Sequence, residues 1–500
     1  MQKQYDELKE RLNETYNLNA AMAVLGWDQQ TYMPPGGAED RAEQISTIAN
    51  ILHQKFTDPT IGELLDQLAP CVEGLDPDSD EARLIKVTRR QYDREVKVPS
   101  EWVADYARLT TNAHPVWEKA RKESDFSQFK PYLQKIVEMR RDYADFFKPY
   151  DHVYDPLLDE FEPGMKTAEV QTIFNQLRQE QVALIKSIAA RPQVENEFMK
   201  LSYPEKGQWD FGVDVITRFG YDWDRGRQDK AAHPFTTNFG IGDVRITTRI
   251  MENLLTSAMF STMHEAGHAL YEQGIAKTLQ RTPLASGASL AIHESQSRMW
   301  ENFVGRSLPF WKFFYPKLKA IFPAQLKDVD LVAFYKAINK VEPSLIRVEA
   351  DEATYNLHVM LRLELEIGLM EGSISVEALP DEWNRRMQAY LGVTPPNDAQ
   401  GVLQDVHWSG GAIGYFPTYA LGNLVAAQLW EVIKQDIPHL ETDMEQGKFN
   451  DLLAWLREKI HRHGAKFEPQ ELVQKITGSR IDPQPYVRYL REKFGAIYGF

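Results

Sequence analysis

Apolar residues recur at steps of three and four along most of this chain, and that spacing constrains the fold more than any other feature. Leu8 and Leu12, then Leu18, Met22 and Leu25, mark a first helix, and Pro34, Pro35, Gly36 and Gly37 stop it. The same stripe returns over Leu133, Ile136, Val137, Tyr143 and Phe147, and again from Val170 through Ile173, Phe174, Leu177, Leu184, Ile185 and Ile188. Breakers lie at Glu73–Asp80, Asp155–Gly164, Pro204–Gly207 and Thr394–Gly401. None is long or simple enough to serve as a flexible linker, and no internal repeat is visible. The chain therefore reads as mainly helical. Its 500 residues allow roughly three domains of ~150 residues, or one large helical domain with subdomains.

One segment breaks the pattern. In His233–Arg249, Phe235, Thr237 and Phe239 alternate before Gly240–Gly242, and Val244, Ile246 and Thr248 alternate after it. That predicts a β-hairpin. Composition narrows the function. A net charge of −15 makes nucleic acid and anionic membrane poor partners. The single cysteine, Cys71, excludes an internal disulfide and a Cys-rich metal site, which fits a reducing, cytoplasmic compartment. The start, Met1–Arg11, is charged throughout and is neither a signal nor a transit peptide. Ser409–Trp430 is uncharged but contains Pro417, Asn423, Gln428 and four glycines, so it reads as buried loop and helix rather than a membrane span.

Just after the hairpin, residues 264–268 spell HEAGH. Ile250, Leu254, Phe260, Met263 and Leu270 give the flanks helical spacing, with Gly274 as a stop. On that helix His264 and His268 leave one face a turn apart and can share one metal. Glu265 is rotated about 100° away, beside the metal, where it can take a proton from water. A third ligand must come from elsewhere. Among Glu272, His293, Glu294 and Glu301, Glu294 is the choice. It lies on a second helix beginning at Leu290, and His293 is read as the neighbour that orients it.

An oxyanion donor is also needed, and Gln404–Gly422 offers Tyr415, Tyr419 and His407. For a substrate carboxylate, arginine is the best partner. Arg245 and Arg347 are candidates, although spacing alone favours plain pairing, as of Arg347 with Glu349 or Asp351.

Taken together, these residues resemble the carboxypeptidase Taq family of HExxH metallocarboxypeptidases. The blocks in order are LGWDQQTYMPPGG at Leu25–Gly37, HPF at His233–Phe235, DVRIT at Asp243–Thr247, HEAGH, HESQ at His293–Gln296, IRVEAD at Ile346–Asp351, and GVLQDVHW at Gly401–Trp408. The resemblance implies an all-α fold with a small antiparallel β-sheet beside the active-site groove, similar in plan to the neurolysin and angiotensin-converting-enzyme gluzincins. It implies a single domain over residues 1–500, with two subdomains flanking a deep groove. His264, His268 and Glu294 are the implied metal ligands, for zinc or cobalt, and Glu265 the base. Arg347 is the implied binder of the substrate's terminal carboxylate, while His233, Arg245, His407 and Tyr419 are implied groove residues, and Tyr415 is read beside them as substrate-binding. The expected activity is broad-specificity release of single C-terminal residues from peptides, by a homodimer. An endo-acting oligopeptidase is the alternative, and an inactive scaffold the rival of another class.

Overall fold

The protein is described by a computed structural model covering residues 2–500. Its helices follow the periodicity. Helix α1, Gln2–Thr31, buries Leu8 and Leu12 and ends before the Pro34–Gly37 stop. The stripe from Leu133 lies on Phe126–Asp145, and that from Val170 on Thr167–Ala189, each with its apolar face buried. Two of the predicted breakers are partly helical. Asp155–Phe161 forms a short helix started by Pro156, and another helix begins at Glu205, directly after Pro204. Proline is favourable in the first turn, where its missing N–H costs nothing.

Downstream, α2 (Leu255–Gly274) carries the HEAGH motif, and α3 (Leu290–Arg298) carries Glu294. Then come α4 (Tyr355–Glu371) and α5 (Pro417–Asp436). Ser409–Trp430 is thus loop followed by buried helix, and no helix among the described residues is long and apolar enough to cross a membrane.

The sheet departs from the expected antiparallel one. Strands β1 (Gln228–Lys230), β2 (Thr236–Asn238) and β3 (Val244–Thr248) are ordered β1–β3–β2. The predicted hairpin is β2–β3, with Thr236 opposite Ile246 and Asn238 opposite Val244. Its neighbour β1 runs parallel to β3. The sheet is mixed because the chain crosses from β1 to the far edge before the hairpin returns β3 to the middle. The polar trio Gln228-Asp229-Lys230 gave no strand pattern to read.

Two apolar cores result. The larger centres on helices such as α2, α4 and α5 and includes the wholly buried Trp300, Trp311 and Trp383. A smaller one joins Leu8, Leu12 and Leu65 from the N-terminal helices to Ile241 at the hairpin turn and Ile275 just after α2.

A buried carboxyl in the larger core predicts a pH effect. Glu366 on α4 accepts hydrogen bonds from Tyr154 Oη (2.6 Å), Trp408 Nε1 (2.8 Å) and the Gly414 amide (3.0 Å). Burial pushes it up to about 7, against those donors. A carboxyl raised on folding contributes stability that is present below its unfolded value, near 4.5, and lost as pH rises through the folded value. The span corresponds to roughly 3 kcal/mol. Thermal melts from pH 5 to 8 are expected to fall less steeply for Glu366→Gln than for wild type; parallel curves would refute this.

Candidate metal centre

The geometry begins with two glycines. A Cβ on Gly267, inside HEAGH, would stand 2.6 Å from the Ser297 Cα, so only glycine lets α2 lie this close to α3. A Cβ on Gly422 would stand 2.6 Å from the Glu294 Cβ, so α5 presses on the same residue from the other side. The start of α3 is held by Ser289, whose hydroxyl accepts the Ile292 N–H at 3.0 Å, and by Glu162, which accepts the Ala291 N–H at 3.2 Å.

Within this packing, His264, His268 and Glu294 offer three donor atoms within 4.8 Å of one another. Glu294 Oε2 is 3.6 Å from His264 Nε2 and 3.6 Å from His268 Nε2. Ligands about 2.0–2.1 Å from a tetrahedral ion stand roughly 3.3–3.4 Å apart, so the spacing fits one ion. The outer ring nitrogens are already engaged. His264 Nδ1 lies 2.8 Å from Glu301 Oε2. Against the burial that would raise it, Arg298 and His264 hold the Glu301 carboxyl well below the usual range. As a carboxylate it can only accept, so the neutral form of His264 carries its proton on Nδ1 and presents a lone pair at Nε2. His268 Nδ1 lies 2.7 Å from His293 Nδ1, and His293 Nε2 lies 2.6 Å from Glu272 Oε1. The same logic passes along this chain and frees His268 Nε2. His293 therefore orients His268, not Glu294 as the sequence suggested; its ring meets the Nδ1 side of His268.

Glu265 is buried on α2, and burial pushes its carboxyl up. The Thr236 hydroxyl, from β2, lies 2.6 Å from Glu265 Oε2 and 2.9 Å from its backbone oxygen. The hairpin thus fixes the residue next to the ligands.

Past α3 lies a second charged group. Arg347 does not pair with Glu349 or Asp351. Its Nε and Nη2 donate to Asp405 Oδ1 at 3.0 and 2.9 Å, and Nη1 donates to Tyr355 Oη at 2.9 Å. Arg362, wholly buried, donates through Nε to Asp405 Oδ2 at 2.7 Å. Two guanidiniums thus share one carboxylate. Burial and the neighbouring Arg347 outweigh Asp405 and lower Arg362 to about 10. Arg347 also stands over the Tyr419 ring, 4.9 Å from its centroid.

His407 and Tyr419 meet, with Nε2 and Oη 3.3 Å apart. Burial lowers His407 to about 4, so it is neutral at pH 7. The Tyr415 ring packs 5.3 Å from that of Tyr419. Two expected groove residues stand apart from this assembly. His233 is exposed in the bend before β2. Arg245 pairs with Asp243 at 2.8 Å and stacks 4.4 Å over Trp27, tying α1 to the hairpin.

Several participants escape a reading of the sequence. Glu272 and Glu301 stand out there only as possible ligands, yet Glu301 meets His264 and Glu272 meets His293, which in turn meets His268. Arg298 sits four positions after Glu294 and three before Glu301, helical spacings that signal contact, and these were the available clue to it. Asp405, Tyr355 and Thr236 carry no local signal of their partners.

A family model for carboxypeptidase Taq (M32) metallopeptidase matches residues 7–494. The chain is 42% identical to thermostable carboxypeptidase 1 of Thermus thermophilus, over 99% of each chain. It is 39% identical to carboxypeptidase 1 of Bacillus subtilis, over 99% of this chain and 98% of that one. Among solved structures, an M32 carboxypeptidase from Deinococcus radiodurans superposes with a TM-score of 0.97 at 40% identity, covering all of both chains.

Proposed function

The chain belongs to the carboxypeptidase Taq (M32) metallopeptidase family, and from that premise we propose that it is a zinc-dependent carboxypeptidase of broad specificity, releasing single residues from free peptide C-termini. His264, His268 and Glu294 would hold the ion, which when bound would supply Lewis-acid polarisation of the scissile carbonyl and a more acidic water. Glu265, one oxygen held by Thr236, takes a proton from the attacking water and returns it to the leaving amine. Tyr419 or His407 donates to the developing oxyanion, with Tyr415 packed beside them.

The observation that carries the exopeptidase reading is the charge count around Arg347. Arg347 and Arg362 against Asp405 leave one positive charge over, and a substrate carboxylate would balance it. Tyr355 links this group to the metal ligands: it accepts from Arg347, while Arg298 stands 4.4 Å over its ring. The same premise extends to cobalt as a substitute ion, a homodimer, a cytoplasmic location, and a gluzincin plan of two subdomains around a groove. On the same premise His233 and Arg245 are proposed as groove residues.

The test uses peptide pairs with free or amidated C-termini. Arg347→Ala is expected to raise KM for free-acid peptides about ten- to a hundredfold, the loss of one charge-assisted pair. Asp405 keeps Arg362, so the fold tolerates the change. Amidated peptides should be poor substrates of the wild type and indifferent to the mutation, and Arg347→Lys should restore only part. Equal cleavage of both peptides by the wild type would favour an endo-acting oligopeptidase instead.

A further inference from the structure

The Arg298 side chain, 13% exposed, lies against the candidate ligand cluster, and the steps of peptide hydrolysis give it no task. Its Nε donates to Glu294 Oε1 at 2.7 Å, and its Nη1 donates to Glu301 Oε2 at 3.1 Å. It therefore bridges the carboxylate ligand and the carboxylate that orients His264. Its guanidinium plane is fixed by the Tyr355 ring. The two oxygens of Glu294 thereby differ. Oε1 is taken by a cation, while Oε2 faces both ligand nitrogens. Only the Ser297 hydroxyl also reaches Oε2, at 3.3 Å, and it lies closer to the Glu294 backbone oxygen, at 2.8 Å.

We propose that Arg298 is a positioning residue that restricts Glu294 to one metal-binding oxygen, keeping the site four-coordinate with a position open for water or substrate. A carboxylate free to rotate can offer both oxygens and add a fifth donor. A cation on Oε1 prevents that rotation and withdraws electron density from the ligand, which strengthens the ion as a Lewis acid. The inference rests on Glu294 being a metal ligand.

The test loads the full-length protein with Co2+ and reads its visible absorption, which is strong for a four-coordinate ion and weak at higher coordination. Arg298→Met should weaken the band and lower kcat about ten- to a hundredfold with little change in KM. Removing Arg298 alone leaves Glu294 without a cation and Glu301 with only His264 and a longer contact to Arg306, so a second variant guards against misfolding. Arg298→Met with Glu301→Gln removes one charge of each sign, and the amide oxygen introduced by the second change can still accept from His264. This double variant should show the same weakened band, whereas Glu301→Gln alone should keep the wild-type one. Arg298→Lys should recover part of both band and kcat. A folded double variant with the wild-type band would overturn the inference and leave Arg298 as ordinary packing. If Glu294→Ala also keeps the wild-type band, Glu294 is no ligand, and the proposed metal site falls with the inference.

Discussion

Glu265→Gln is expected to retain its metal and lose about 10²–10⁴ in kcat, the usual worth of a positioned general base. The amide is nearly isosteric with the carboxylate, and its oxygen can still accept the Thr236 hydroxyl that lies 2.6 Å from Oε2. The proposed ligand nitrogens of His264 and His268 belong to neighbouring turns and are oriented by Glu301 and His293, which the substitution leaves alone. What disappears is the ability to take a proton from water. Metal content by atomic absorption, measured beside single-turnover kinetics, separates the two. Near-wild-type turnover would remove Glu265 from the role of base, and loss of metal would make it a ligand.

Glu294→Ala should have the larger consequence, because it removes the proposed metal donor and a buried counter-charge together. Two imidazoles alone make a weak site, and the lost Lewis-acid contribution of several kcal/mol corresponds to about 10³–10⁴ or more in rate. The variant should emerge from dialysis without stoichiometric metal, and chelated wild type should be equally inactive. Arg298 would lose its 2.7 Å partner and keep only Glu301. Stripping one member from a buried ionic group costs about 3–5 kcal/mol, so the melting temperature should fall even against metal-free wild type. Stoichiometric metal in Glu294→Ala would move the third donor to another residue.

The parts legible in the sequence are those governed by short spacing. Helix positions follow from apolar steps of three and four, and the hairpin from alternation around Gly240–Gly242. The convergence of His264 and His268 follows from one helical turn. Arg298 is within reach of the same rule, since its contacts with Glu294 and Glu301 are i,i+4 and i,i+3. It is easily passed over because arginine is not a metal-ligating residue type.

Tertiary packing decided the rest. Arg347 and Asp405 lie on separate segments, and Thr236 and Glu265 on a strand and a helix; no spacing connects either pair. Here local proximity misled: Glu349 and Asp351 stand next to Arg347 in sequence, yet Asp405 holds it. Likewise His293 adjoins Glu294 in the chain but turns to His268, because residues one apart on a helix leave it about 100° from each other. The sequence by itself determined the helices, the metal-binding residue types and the family. Which acid pairs with which base was decided by tertiary packing, around Glu294 by the close approach that Gly267 and Gly422 allow, because burial without a partner would have cost each charge several kcal/mol.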